Sequence, residues 1–188
     1  MTADFEAKYR ADPDPWRTVT DPYESHKRER TLAACGPGPF SSACDLGAGT
    51  GVLAAALAPH CDRLLALDGA PTAVAEAQRR LAPFPHAEAR TSTLPDGLPT
   101  GPFDLVVASE ILDYLDDNAF HMVLGWLPDA LTRGGRAVAV HWTGSAPDLR
   151  RGADDVGAAL AATPGLRMIA DGTGATEGFR IDVVERAQ

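Results

Sequence analysis

Residues 44 to 51 read Cys-Asp-Leu-Gly-Ala-Gly-Thr-Gly, and no other stretch of the chain limits its fold so sharply. Ser42 to Leu46 before it is a short apolar run of strand length, and Val52 to Ala58 after it is rich in Ala and Leu, a helical composition. Glycines at such a junction let the backbone turn sharply from strand into helix and let a ligand approach with no Cβ in the way. In open α/β sheets ligands lie outside the carboxyl ends of the strands, which is where this turn falls.

The rhythm that follows is strand and helix in alternation. Arg63 to Leu67 reads as a strand ending at Asp68, and Pro71 opens a helix running to Leu81. Ala87 to Ser92 is a weaker strand, followed by a loop with Pro95, Gly97, Pro99 and Gly101. Phe103 to Ala108 reads as a buried strand. A helix over about 118–132 rests on Val123, Leu124, Leu127 and Leu131, interrupted near Pro128. Gly134-Gly135 makes a turn into a fifth strand, Arg136 to Trp142, and Ala153 to Ala162 is helical. Two last strands, near Leu166 to Ala170 and Phe179 to Glu185, flank the turn Asp171-Gly172-Thr173-Gly174 and read as a terminal hairpin. The pattern predicts a Rossmann-like α/β fold: a doubly wound, mostly parallel sheet with an antiparallel edge, in a single domain. Ahead of it, residues 1–22 are polar, broken by Pro13, Pro15 and Pro22, and read as a loop-like arm, while 23–188 form the domain. Within the arm, Phe5 to Tyr9 is too short for a membrane or partner helix. The first helix, Tyr23 to Cys35, has Asp21 as N-cap, Pro22 at the first helical position and Glu24 three residues after the cap.

Composition narrows the partners. The chain has 188 residues with 17 Lys and Arg against 26 Asp and Glu, a formal net charge of -9, which repels polyanions and argues against nucleic acid. Its three cysteines form no Cys-x-x-Cys pair, and the scattered histidines show no metal spacing, so no metal site is expected. The N-terminus lacks the layout of a signal peptide and no segment approaches the ~20 apolar residues of a membrane span. The expectation is a soluble, reduced, cytoplasmic domain without a membrane partner.

The turn itself reads G-x-G-x-G, not G-x-G-x-x-G; the third glycine of a dinucleotide turn would stand at Val52. That, and the lack of a substrate domain, disfavours an NAD-dependent oxidoreductase. Asp45 two residues before Gly47 suits a cationic or hydroxyl-bearing ligand better than a pyrophosphate. Seventeen residues after Gly51, Asp68 ends the second strand, where its two oxygens can accept from both hydroxyls of a ribose. Each acid alone reads equally well as a cap, Asp45 of the turn and Asp68 of the next helix; together they point to a nucleoside ligand.

Asp45 to Gly51 followed by Asp68 resembles the cofactor signature of class I methyltransferases that use S-adenosylmethionine. Three further stretches resemble the narrower NodS-like family: Asp14-Pro15-Trp16 with Tyr23-Glu24 and Lys27, the run Phe103 to Leu115 containing Ser109-Glu110-Ile111, and His141-Trp142. The likeness covers residues from about 12 to 185 and implies the strand order 3-2-1-4-5-7-6. It also implies a site. Trp16, Tyr23 and Lys27 would close over the methionine end, with the Tyr23 hydroxyl or Lys27 reaching its carboxylate. Asp45, Gly47, Ala48, Gly49, Asp68 and Gly69 would hold the cofactor, joined by Ser109 and Glu110. The chain departs from the family where an acid near the adenine amino group is replaced by Thr91-Ser92, whose hydroxyls would accept that hydrogen bond and so join the cofactor site, and where the Arg after His-Trp is replaced by Thr143.

Methyl transfer from a sulfonium is an in-line displacement, so most of the work is alignment. A neutral amine needs no base, whereas a hydroxyl does. Glu110 and His141 are the candidates for such a base; Asp113, Tyr114, His141 and Trp142 are the candidates to touch the acceptor. Asp113 reads equally as part of a solvated acidic segment, and His141 as a hydrogen-bonded structural residue. Side chains alternate along a strand, so one of His141 and Trp142 faces the cleft. The implied reaction is N-methylation of a small molecule, an amino sugar or a related metabolite. O- or C-methylation and a non-catalytic cofactor-binding partner are the alternatives.

Overall fold

The computed structural model describes residues 4–187. Seven strands form one sheet in the order β3-β2-β1-β4-β5-β7-β6. They are β1 (Ala43–Leu46), β2 (Leu64–Asp68), β3 (Ala87–Thr91), β4 (Phe103–Ser109), β5 (Leu131–Trp142), β6 (Leu166–Thr173) and β7 (Phe179–Arg186). Pairing is parallel from β3 through β5, and antiparallel where β7 inserts between β5 and β6. The central strands are apolar on both faces because both are covered: β1 is buried at every position and β4 at all but two. One face packs against α2 (Pro22–Cys35), α3 (Val52–Leu57) and α4 (Pro71–Leu81) through Cys35, Ala54, Leu57, Val74, Ala77 and Leu81. The other packs against α5 (Asp117–Ala130) and α6 (Ala153–Ala162) through Phe120, Val123, Leu127, Val156 and Leu160.

The doubly wound fold, the strand order and the antiparallel hairpin follow the sequence-based expectation. So does the start of α2, where the Asp21 carboxylate accepts from the Tyr23 amide and Pro22 takes the first turn.

Four details differ. The arm is not all loop: Phe5–Ala11 forms a two-turn helix, α1, with Asp4 as its N-cap. The helix before the fifth strand stops at Ala130, two residues short of expectation, with Pro128 inside it. Strand β5 correspondingly reaches back to Leu131, which pairs with Phe103 before a register shift; regular pairing resumes at Leu105–Arg136. The terminal hairpin turns at Gly174–Gly178, not at 171–174, because pairing continues irregularly through Ala170 and Thr173. The buried Asp182 carboxylate holds the Gly172 amide at 2.9 Å and takes a forked pair of bonds from Arg180, so a glycine segment that looks like a turn stays in the sheet.

Gly51 sets the height of α3 over the sheet. It caps the helix in the left-handed region, φ +77°, and a Cβ there would lie 2.8 Å from the Ala77 Cβ and 2.9 Å from its Cα. Backbone atoms cannot swing aside as a flexible side chain does. Gly51→Ala should therefore lose about 2 kcal/mol or more of unfolding free energy, through strain and the clash with α4. Urea unfolding checks this; a change within about 0.5 kcal/mol would contradict the packing described.

Candidate active site

A cavity of about 850 Å³ opens at the carboxyl ends of β1, β2 and β4 and is roofed by α1 and the segment that follows it. Its floor is the glycine turn. The Ala48 amide donates to the Leu67 carbonyl at 2.9 Å, and the Gly49 amide to Asp68 Oδ2 at 2.8 Å, so the turn is fastened to the end of β2. Asp68 Oδ1 accepts from the Ala70 amide, also at 2.8 Å. Asp68 thus caps the entry to α4, and it also lines the cavity. Burial raises its pKa, and the amides of Ala70 and Gly49 partly offset this.

Asp45 is 1% exposed, lines the cavity, and its Oδ2 has no hydrogen-bond partner. Burial, with the nearby Asp68 charge, pushes its carboxyl up to about 8. A buried carboxyl is expensive to ionise alone, and a cation beside it removes that cost. An orphaned carboxylate next to an anchored one, above a turn free of side chains, fits a ligand with a positive group and vicinal hydroxyls. The residues present thus suit S-adenosylmethionine.

Gly47, Ala48, Gly69, Ser92 and Ser109 also line the cavity. Gly49 does not, because the Tyr9 hydroxyl from α1 lies over it; a Cβ on Gly49 would sit 2.7 Å from that oxygen. Thr91 is exposed outside the lining, so of the Thr91-Ser92 pair only Ser92 reaches it, with its hydroxyl donating to the Gly97 carbonyl at 2.7 Å. Thr93 and Leu94, which the sequence reading passed over, share that wall.

Trp16, Tyr23 and Lys27 face the cavity as expected, but two of their polar ends are already engaged. The Tyr23 hydroxyl donates to the Gly178 carbonyl at 2.9 Å. Lys27 Nζ donates to Glu24 Oε1 and Glu110 Oε1, each at 2.9 Å. Burial pulls the Lys27 ammonium down, yet the charges of Glu110 and Glu24 outweigh it and hold it above its ordinary range. Glu110 in turn accepts from the Trp142 amide through Oε2 at 3.2 Å and holds φ +56°, a strained conformation for a residue with a side chain. Its carboxylate is thus tied on both oxygens rather than presented as a free base.

Two candidates are displaced. Trp142 and Tyr114 line the cavity, whereas His141 and Asp113 do not. The alternation along β5 turns Trp142 toward the cleft and His141 into the interior, fully buried, with Nδ1 3.4 Å from Asp113 Oδ1. His141 and Asp113 therefore correct the expectation of contact with an acceptor: they form an enclosed pair beneath the wall, with no hydrogen bond on either ring nitrogen or either carboxylate oxygen.

The largest omission from the sequence reading is α1. Glu6 accepts from the Thr72 amide and hydroxyl at 3.0 and 2.7 Å, supplying a cap that α4 lacks from its own Ala70. Lys8 reaches Asp148 across the cavity at 2.7 Å. The signal available was the Asp4 cap with Glu6 in the first turn and Phe5 and Tyr9 four apart.

Among the described residues no cluster of His, Cys, Asp or Glu could hold a metal ion, and no helix is long and apolar enough to cross a membrane.

A family model described as a methyltransferase domain matches residues 44–137, half of the chain. Nodulation protein S of Rhizobium tropici is 34% identical over 127 residues, 66% of this chain and 53% of that protein. The chain spans about half the length of the curated relatives it matches. Among solved structures, a putative methyltransferase from Pseudomonas syringae is 34% identical with a TM-score of 0.74, covering 87% of this chain and 99% of that one. The N-methyltransferase NodS from Bradyrhizobium japonicum WM9, in complex with S-adenosyl-L-homocysteine, has a TM-score of 0.86 at 24% identity, over 100% of this chain and 99% of that one, a likeness of fold.

The Asp45 carboxyl gives a pH-dependent signature. The unfolded chain ionises it near the ordinary Asp value, the folded ligand-free chain only near 8. Across that window the folded chain keeps a proton the unfolded chain has lost, so this group's contribution, full below the lower value, disappears as pH rises toward 8. Between about pH 6 and pH 8 the ligand-free protein should lose about 2 kcal/mol more unfolding free energy than Asp45→Asn. Urea titrations at both pH values measure this; parallel losses in the two proteins would show that Asp45 does not titrate there.

Proposed function

Because the chain belongs to the NodS-like family of class I S-adenosylmethionine-dependent methyltransferases, we propose that it methylates the amine nitrogen of a small molecule, with residues 1–22 as an arm that closes over the bound cofactor. S-adenosylmethionine supplies a methyl group on a positively charged sulfur, and its transfer to nitrogen leaves the neutral thioether S-adenosylhomocysteine.

The observation that carries the amine reading is that neither sequence-predicted base, His141 or Glu110, presents a free proton acceptor to the cavity. The lining contains no histidine; His141 is enclosed behind it. Glu110 is bonded through both oxygens to Lys27 and the Trp142 amide. Tyr9 and Tyr114 have their hydroxyl pKa values raised, chiefly by burial, so both stay protonated at neutral pH and act as hydrogen-bond donors. A hydroxyl acceptor needs its proton taken during the reaction, whereas an amine that arrives neutral attacks through its lone pair and loses its proton afterwards to water.

Charge supports the same reading. The lining carries nine acidic side chains, Asp4, Glu6, Asp14, Glu24, Asp45, Asp68, Glu110, Asp116 and Asp148, against Lys8, Lys27 and Arg28. Such a cleft raises the local concentration of cations, the sulfonium cofactor among them. In this account Asp68 holds the ribose, Asp45 faces the cofactor's positive end, and Ser92, Thr93 and Leu94 flank the adenine. Trp16, Tyr114 and Trp142 shape the acceptor's place. The work of the site is alignment and exclusion of water. The name of one relative of the same fold, an N-methyltransferase, agrees with it.

Matched pairs of small amines and alcohols on the same carbon skeleton, incubated with S-adenosylmethionine and followed by mass, test the reading. Gain of one methyl group on amines, with none on the paired alcohols, is the expected result. Methylation of the alcohols instead would reassign the chain to O-methylation.

A further inference from the structure

Lys8 places a positive charge inside the cavity. Its Nζ lies 5.4 Å from the centroid of the Phe5 ring and 5.5 Å from that of Trp16, within the distance over which an aromatic face attracts a cation. Asp148 completes the surround, its Oδ2 accepting from Nζ at 2.7 Å. Both rings are braced from behind. Tyr114 meets Phe5 edge-on, with centroids 5.2 Å apart and planes at 88°, and Tyr9 meets Trp16 at 5.4 Å and 64°. Edge-to-face contacts of this kind hold rings at a fixed tilt. Phe5, Trp16, Asp148 and both tyrosines line the cavity.

We propose that Phe5, Trp16 and Asp148 form a subsite for an alkylammonium group of the acceptor, and that Lys8 is its internal occupant, displaced when the acceptor enters. The proposal rests on the amine reading above and makes it more specific: apart from the neutral nitrogen that is methylated, the acceptor carries a substituted ammonium rather than a guanidinium or a neutral polar group. Two aromatic faces and one carboxylate are the chemistry that recognises such a group. Lysine itself suits the place poorly, because a primary ammonium is compact and strongly hydrated, whereas an alkylated one sheds water more easily and can lie against both rings, whose centroids stand 6.1 Å apart.

Displacement is easy. The Lys8 and Asp148 side chains are 40% and 25% exposed, and partly exposed ion pairs add little net stability. The Lys8 hydrogen bond is nonetheless what chiefly holds the Asp148 carboxyl below its ordinary range, so the carboxylate is charged and ready for another cation. Lys8 stands on the two-turn α1 and Asp148 in the irregular segment between β5 and α6, so neither partner is fixed by long secondary structure.

Choline and its uncharged isostere 3,3-dimethylbutan-1-ol are suitable probes, titrated calorimetrically into the full chain with and without S-adenosylhomocysteine. Lys8→Ala should bind choline about tenfold more tightly than the unaltered chain, since the internal competitor is gone, and Asp148→Asn about tenfold more weakly. Lys8→Gln, which keeps most of the stem, should behave like Lys8→Ala if charge is what competes. The alcohol should distinguish none of these proteins. Unchanged choline affinity in both Lys8 variants, or alcohol binding as tight as choline's, overturns the subsite. Neither titration depends on turnover, so failure here leaves the methyl-transfer reading standing, while failure of S-adenosylhomocysteine to bind would remove that reading separately.

Discussion

The Asp68 carboxylate ties the end of β2 to the glycine turn after β1, and the rest of the site is built on that tie. One oxygen holds the Gly49 amide and the other the Ala70 amide, so the turn into α3 and the entry to α4 are fixed by the same side chain. The parallel register beneath it sets Asp45 opposite Ala66 and Leu46 opposite Leu67, so Asp68 stands two residues farther along β2, and both acids line the cavity. Asp68 is satisfied by backbone donors; Asp45 is left with an orphaned oxygen. One acid is thus a structural anchor, while the other is buried with an oxygen left unpaired.

The structure contains a second set of buried groups without hydrogen bonds, and comparison with Asp45 is instructive. His141 and Asp113 are as enclosed as Asp45, but each has the other nearby and neither lines the cavity. They join β5 to the segment after β4, and from those same two stretches Trp142 and Tyr114 turn outward into the cavity. Glu110, in its left-handed conformation, bonds across the same gap to the Trp142 amide. The wall of the cavity that carries Trp142 and Tyr114 is therefore held by polar groups between two strand ends, whereas the wall that carries Asp68 is held by one carboxylate and a turn.

Much of the fold was legible because its signals are local. The continuous apolar run of β4, the Pro71 start of α4 and the Asp21 cap of α2 each carry their reason in adjacent residues. The hairpin turn was misplaced because Asp171-Gly172-Thr173-Gly174 has turn chemistry, while the interaction that keeps it in the sheet comes from Asp182 and Arg180 on the next strand. The site shows the same division. Asp45, Gly47 and Asp68 could be found from spacing. The inward turn of His141 depends on the phase of β5 against β7, where it lies opposite Arg180. The cavity-facing role of α1 depends on Glu6 finding Thr72 and Lys8 finding Asp148, contacts 66 and 140 residues apart. No periodicity in a seven-residue helix encodes such partners.

The central claim is that the Asp45–Asp68 corner binds the nucleoside cofactor. Calorimetric titration with S-adenosylhomocysteine, with NAD run alongside, tests it most directly. The account predicts binding of S-adenosylhomocysteine and not of NAD, lost or weakened by about a hundredfold in Asp68→Ala, because that change removes a charged acceptor and releases the glycine turn together. Preference for NAD, or S-adenosylhomocysteine binding that Asp68→Ala leaves unchanged, would contradict it.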